Sequence, residues 1–208
     1  MTTTPRTRLS PEQRREQLLD LGVRLLAHRS LDELSIDLLA EEAGISRGLL
    51  YHYFGSKQAF HEAVVRHAAD DLIAQTTPPS DGEPMERLLT SVTAYVDYVV
   101  ANHEGYVSLV KAAAGGNESL RAIYEEARSA LNSRIFREDT QGEIVPDTPA
   151  TRLVVRGWSA MTEELVLAWI DDPGGVSREE LLAIVAGSLR AVVDVIPPGP
   201  TTGPTTPA

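Results

Sequence analysis

The sequence contains no cysteine. That removes any disulfide framework and any thiolate metal site, and it suits a reducing cytoplasm. No apolar run approaches the roughly twenty residues a membrane helix needs. The stretch before Ser10 lacks the apolar centre of a signal peptide. Glycine-rich phosphate loops, dinucleotide turns and nucleophile elbows are missing too. His61-Glu62 begins like a zinc-protease motif, but Val65 stands where the second histidine would be needed. His61 and His67 share no helix face well and read as solvent-exposed side chains. These absences leave no cofactor, metal or catalytic constellation to expect, so the chain reads as a non-enzyme.

Lysine is scarce: two lysines stand against seventeen arginines, and one of the two is Lys57. The net charge of -11 looks wrong for a nucleic-acid binder until it is divided along the chain. Residues 1–57 carry eight basic and eight acidic side chains, whereas 58–208 carry eleven basic and twenty-two acidic. The acidity lies wholly outside the first quarter of the chain, where it would weaken non-specific DNA binding and leave a local reading face usable.

That first quarter holds the most informative stretch. Ser35-Ile-Asp-Leu-Leu-Ala-Glu-Glu-Ala-Gly44 reads as one helix, capped by Ser35 and closed by Gly44. Ser46 caps a second helix, on which Leu50 and Phe54 share the inner face while Arg47, Tyr51 and His52 point away. Gly55 ends it and Ser56 caps the next. Lys57 then falls in a first turn, where a cation opposes the helix dipole. A lysine there makes sense if a phosphate sits at the same helix start. Helix, glycine turn and second helix within about twenty residues is a helix-turn-helix arrangement.

Ser35, Leu39-Ala40, Ala43-Gly44-Ile45-Ser46, Gly48, Leu50-Tyr51, Phe54 and Ser56-Lys57 together resemble the signature of TetR-family transcriptional regulators. The resemblance runs over roughly residues 10–69. It implies an all-α protein, with an N-terminal three-helix DNA-binding domain and a C-terminal helical domain for ligand binding and dimerisation. The DNA-binding residues it implies are Ser35, Ser46, Arg47, Gly48, Leu49, Tyr51, His52, Tyr53 and Lys57. Three positions depart from the common pattern. Leu49 replaces a threonine that often touches the DNA backbone, Tyr53 replaces a frequent histidine, and Ser30 stands where glycine is usual.

Residues 1–9 read as a flexible arm, 10–57 as the DNA-binding domain with its motif at 35–54, and 58–75 as a connecting helix. Prolines and Gly82 at 76–84 mark a boundary. Further helices are predicted at 84–102, 105–113, 117–139, 149–171 and 177–195, with Gly105 as punctuation, and 197–208 as a disordered tail. The helices at 151–170 and 181–196 are apolar around most of their circumference, so each must be buried on two sides. By resemblance they form a dimeric four-helix bundle, with Trp169, Leu181, Val185, Leu189 and Val193 at the interface; a thicker monomer core is the alternative. Resembling proteins bind an inducer in the second domain, 84–196, and Tyr95, Trp158 and Met161 are the residues expected to line its pocket.

The expected function is that of a cytoplasmic homodimeric repressor on a palindromic operator, released by an apolar or amphipathic effector and bound to no membrane. The alternatives are a ligand-independent regulator and a helical lipid-binding module with a degenerate DNA head.

Overall fold

The computed structural model describes residues 10–139 and 141–196. The expected arm and tail lie outside those residues. Nine helices and no strand occur among the described residues: α1 Pro11–Leu26, α2 Ile36–Ala43, α3 Arg47–Phe54, α4 Lys57–Gln75, α5 Pro84–Ala101, α6 His103–Ala114, α7 Glu118–Glu138, α8 Pro149–Asp171 and α9 Arg178–Asp194. The boundaries follow local chemistry. The Ser10 hydroxyl accepts from the Gln13 N–H at 3.2 Å, and the Gln13 amide accepts from the Ser10 N–H at 2.9 Å. Pro11, with no N–H to lose, takes the first helical position. Thr148 with Pro149 starts α8 in the same way, and Ser177 with Glu180 caps α9.

The chain divides into two compact units, with one break at 77/78, inside the expected boundary, and others at 93/94 and 130/131. Among the described residues, one comprises 10–77 and 94–130, the other 78–93, 131–139 and 141–196. Helices α5 and α7 each contribute residues to both units. The first unit's core of Leu18, Leu25, Leu39, Leu50, Phe60 and Val64 also takes in Leu120 and Ile123 of α7. Two close approaches hold α1. A Cβ on Gly22 would stand 2.7 Å from Val64 of α4, and one on Gly105 would stand 2.5 Å from the Leu26 carbonyl oxygen. Gly105 is therefore no punctuation mark. It lies inside α6, where its missing side chain lets that helix reach the end of α1. The Leu31 N–H, just beyond α1, donates to the Ser108 hydroxyl of α6 at 2.8 Å. Tyr98 of α5 is buried and donates to the Ala68 carbonyl of α4 at 2.8 Å. Burial pushes its phenol well above the ordinary tyrosine pKa.

In the second unit α8 packs on α9. Val155, Trp158 and Val166 of α8 and Leu181, Val185 and Leu189 of α9 are all buried. The Trp158 indole N–H reaches the Val185 carbonyl at 3.0 Å and the Ser188 hydroxyl at 3.1 Å. The loop before α8 is gathered by Asp139, a buried carboxylate that accepts from the N–H groups of Glu143, Ile144 and Val145 at 2.9, 2.8 and 2.7 Å. Three such bonds satisfy a charge that burial would otherwise make costly.

Part of the expected interface is already covered within the chain. Leu181, Val185 and Leu189 already face α8 of their own chain, with 3%, 0% and 0% of their surface exposed. Val193 and Trp169 are half-buried, and the Trp169 N–H is spent on the Val176 carbonyl at 2.8 Å. Periodicity showed how wide the apolar girth is, but not which side the subunit itself covers. The exposed side carries Leu153, Gly157, Ala160 and Met161 on α8, and Ala183, Ile184, Gly187, Ala191 and Val195 on α9.

Candidate nucleic-acid interface

The helix-turn-helix is built by three serines and two glycines. The Ser35 hydroxyl accepts from the Leu38 N–H at 3.1 Å, Ser46 from Leu49 at 3.3 Å and Ser56 from Ala59 at 3.1 Å. Gly44 closes α2 in the left-handed conformation (φ 63°, ψ 36°), and the Ile45 N–H returns to the Ala40 carbonyl at 3.0 Å. That conformation is cheap only for glycine. The turn sets α3 so that Leu50, fully buried, and Phe54 face the core. The Phe54 ring meets Phe60 of α4 edge-on at 5.2 Å, while Arg15 of α1 lies 5.4 Å over it.

Everything α3 turns away from that core is exposed. Arg47, Gly48, Leu49, Tyr51 and His52 form one open face, and Lys57 stands exposed at the first position of α4. Leu49 and Tyr51 show 37% and 50% of their surface. Gly48 is informative for what it omits. A Cβ there would meet nothing within 4 Å, so no packing requires glycine. Glycine inside a helix costs about 1 kcal/mol relative to alanine. A glycine on this open face leaves room for close approach of a nucleic-acid backbone. Gly48→Ala should therefore raise the unfolding free energy by about 1 kcal/mol while weakening DNA binding; calorimetry and a binding titration on one preparation check both signs.

Not every expected contact residue is equally available. Ser35 and Ser46 use their oxygens as caps, which leaves each O–H free to donate to a phosphate. Tyr53 is half-buried against the core, with its ring 5.9 Å from His52. Two features had no local signal in the sequence. Arg47 is ion-paired with Asp37 of α2 across the turn. His61 is half-buried, not exposed, and its Nε2–H donates to the Leu34 carbonyl at 2.6 Å. Burial first, and Lys57 nearby, lower its pKa from the ordinary histidine value, against the hydrogen bond to Leu34, which raises it. His67 instead meets the Asp20 carboxylate at 2.7 Å. No metal-ligating group of three occurs among the described residues.

The residues expected to line an effector pocket do not behave alike. Tyr95, half-buried in the first unit, shares a hydrogen bond of 2.9 Å with the Tyr106 hydroxyl, the rings edge-to-face at 6.4 Å. Trp158 spends its only donor on α9 and serves the second unit's core. Met161 sits on the exposed side of α8, 37% open.

No helix among the described residues is long and apolar enough to cross a membrane. Comparison with known proteins gives a consistent answer. The model for bacterial regulatory proteins of the tetR family matches residues 18–64, and that for the tetracyclin repressor-like C-terminal domain matches 84–189. A solved tetR-family transcriptional regulator from Streptomyces coelicolor is 34% identical, with a TM-score of 0.78, covering 88% of this chain and 82% of its own. The HTH-type transcriptional regulator BetI of Burkholderia ambifaria is 37% identical over 89 residues, 41% of this chain and 46% of the relative. The chain thus spans about half the length of the curated relatives it matches. FadR from Bacillus subtilis, solved in complex with stearoyl-CoA, shares the fold at 17% identity and a TM-score of 0.62, over 87% of this chain and 98% of its own. With both halves matched, and an exposed reading helix between the caps that define such a motif, this chain belongs to the tetR family of bacterial regulatory proteins.

Proposed function

We propose that the chain is a homodimeric repressor that binds a palindromic operator and is released by an apolar or amphipathic small molecule. The observation that carries the reading is the open face of α3, with Arg47, Gly48, Tyr51 and His52 displayed beside Lys57. Arginine and histidine can reach base edges, whereas a lysine at a helix start suits a phosphate. Two heads are needed because one recognition helix contacts too few base pairs to select a site in a genome. The exposed side of α8 and α9 can hold them. It carries Leu153 and Ile184, 72% and 50% open, together with Gly157 and Gly187, small residues that permit close helix approach.

Effector release is supported by the way α6 meets the head inside one unit. The Gly105 contact with Leu26 and the Ser108 bond to Leu31 tie α6 to the end of α1 and the loop before α2. A ligand that prefers a different placement of α6 shifts the population toward heads that no longer match half-sites about 34–36 Å apart. FadR, which shares the fold and was solved with stearoyl-CoA, an amphipathic molecule, supports that choice of ligand.

DNA binding by the dimer should fall steeply with salt. Lys57→Ala should weaken binding to all sequences alike and flatten the slope of log affinity against log salt by about one unit. Anisotropy titrations across salt measure both. A changed base preference with an unchanged slope would remove Lys57 from the phosphate role, and salt-independent binding by the parent would remove the regulator reading in favour of a ligand-binding module.

A further inference from the structure

We propose that Asp37 is a specificity-determining positioning residue, whose carboxylate holds the Arg47 guanidinium by its Nε edge and so presents the two terminal amino groups to a guanine. The inference rests on the DNA-reading role of α3 argued above. Asp37 is the second residue of α2 and Arg47 the first of α3, so the two N-terminal ends capped by Ser35 and Ser46 bring them together. The contact runs from Arg47 Nε to Asp37 Oδ1, with the two side chains 68% and 57% exposed.

A pair that open to water contributes little to folding, so stability is a weak reason for its presence. Its consequence for binding is larger. A free arginine has five donors and a flexible stem and can satisfy itself on any phosphate. Once Nε is engaged, the Nη1–Nη2 edge remains, and that edge matches the O6 and N7 acceptors of guanine. The carboxylate also cancels the charge that would draw Arg47 to the backbone. Asp37 therefore lowers affinity for random duplex and restricts Arg47 to the base whose acceptors fit. A purely helix-dipole role for Asp37, at the N-terminal turn of α2, predicts a small loss of stability and no change in base choice.

The test is a double-mutant cycle on the full chain, read by selection from random duplexes and by titration against one selected and one random duplex. Arg47 should give the parent a preference of roughly 5–150-fold at one base pair per half-site. Asp37→Ala should reduce that preference roughly 3-fold or more, tighten binding to random duplex and steepen its salt slope by about one unit. In an Arg47→Ala background the same change should leave base preference unaltered. A preference retained in Asp37→Ala, or lost equally in both backgrounds, overturns the inference about Asp37 alone. A parent that selects no sequence overturns the DNA-reading role beneath it.

Discussion

Ile184→Glu should yield a folded protomer that sediments as a monomer and no longer holds its operator. Ile184 is half exposed in the single chain, on the α9 side opposite Leu181, Val185 and Leu189, so a carboxylate there is solvated until two copies meet. In the dimer it would be buried without a partner, twice by symmetry, at about 3–5 kcal/mol for each unpaired charge. Several kcal/mol is a loss of a hundredfold or more in dimer affinity. Leu153→Glu, on α8, should act in the same direction. Leu189→Glu is a different experiment. That side chain is fully buried within its own chain, so its replacement breaks the α8–α9 core and unfolds the protein. Sedimentation velocity with circular dichroism separates the outcomes: monomeric and helical for Ile184→Glu, unfolded for Leu189→Glu. A helical, dimeric Ile184→Glu would move the interface to another surface.

Gly105→Ala should destabilise the first unit although it adds one methyl group. The new Cβ would lie 2.5 Å from the Leu26 carbonyl oxygen and 2.6 Å from Leu26 Cγ, and the backbone atom cannot step aside as a side-chain tip would. Overpacking of this kind costs about 1–3 kcal/mol, and here it forces α6 away from α1. The Ser108 bond then stretches. Ser108→Ala, which leaves the Leu31 N–H without that acceptor, should cost about 1–3 kcal/mol by itself. Because both contacts tie α6 to the head, each variant should also weaken operator binding with no effector present, beyond what lost stability explains. Unfolding titrations beside DNA titrations, well below the melting range, show whether the two losses separate. An unchanged DNA affinity in folded Gly105→Ala would break the proposed link between α6 and the head.

The helices were legible because their ends are written locally. Ser10, Ser35, Ser46, Ser56 and Ser177 each cap a helix, and Pro11 and Pro149 each sit just inside one. The inward and outward faces of α3 followed from the four-residue spacing of Leu50 and Phe54. What escaped depends on partners distant in sequence. Gly105 looks like a helix breaker until Leu26 is placed against it. The apolar girth of α9 says that two sides are covered, yet only α8 shows which one belongs to the subunit. Trp158 reads equally well as pocket lining or core until its N–H is found on Val185. Asp37 and Arg47 sit on different helices, and only the turn at Gly44 joins them.

Selection of bound duplexes from a random pool with the parent protein tests the central claim most directly. Two inverted half-sites with centres about one helical turn apart, 34–36 Å, each with a guanine whose enrichment vanishes in Arg47→Ala, are the expected result. A single unrepeated half-site, or a pool no richer in any sequence after selection than before it, would contradict a dimeric operator-reading regulator.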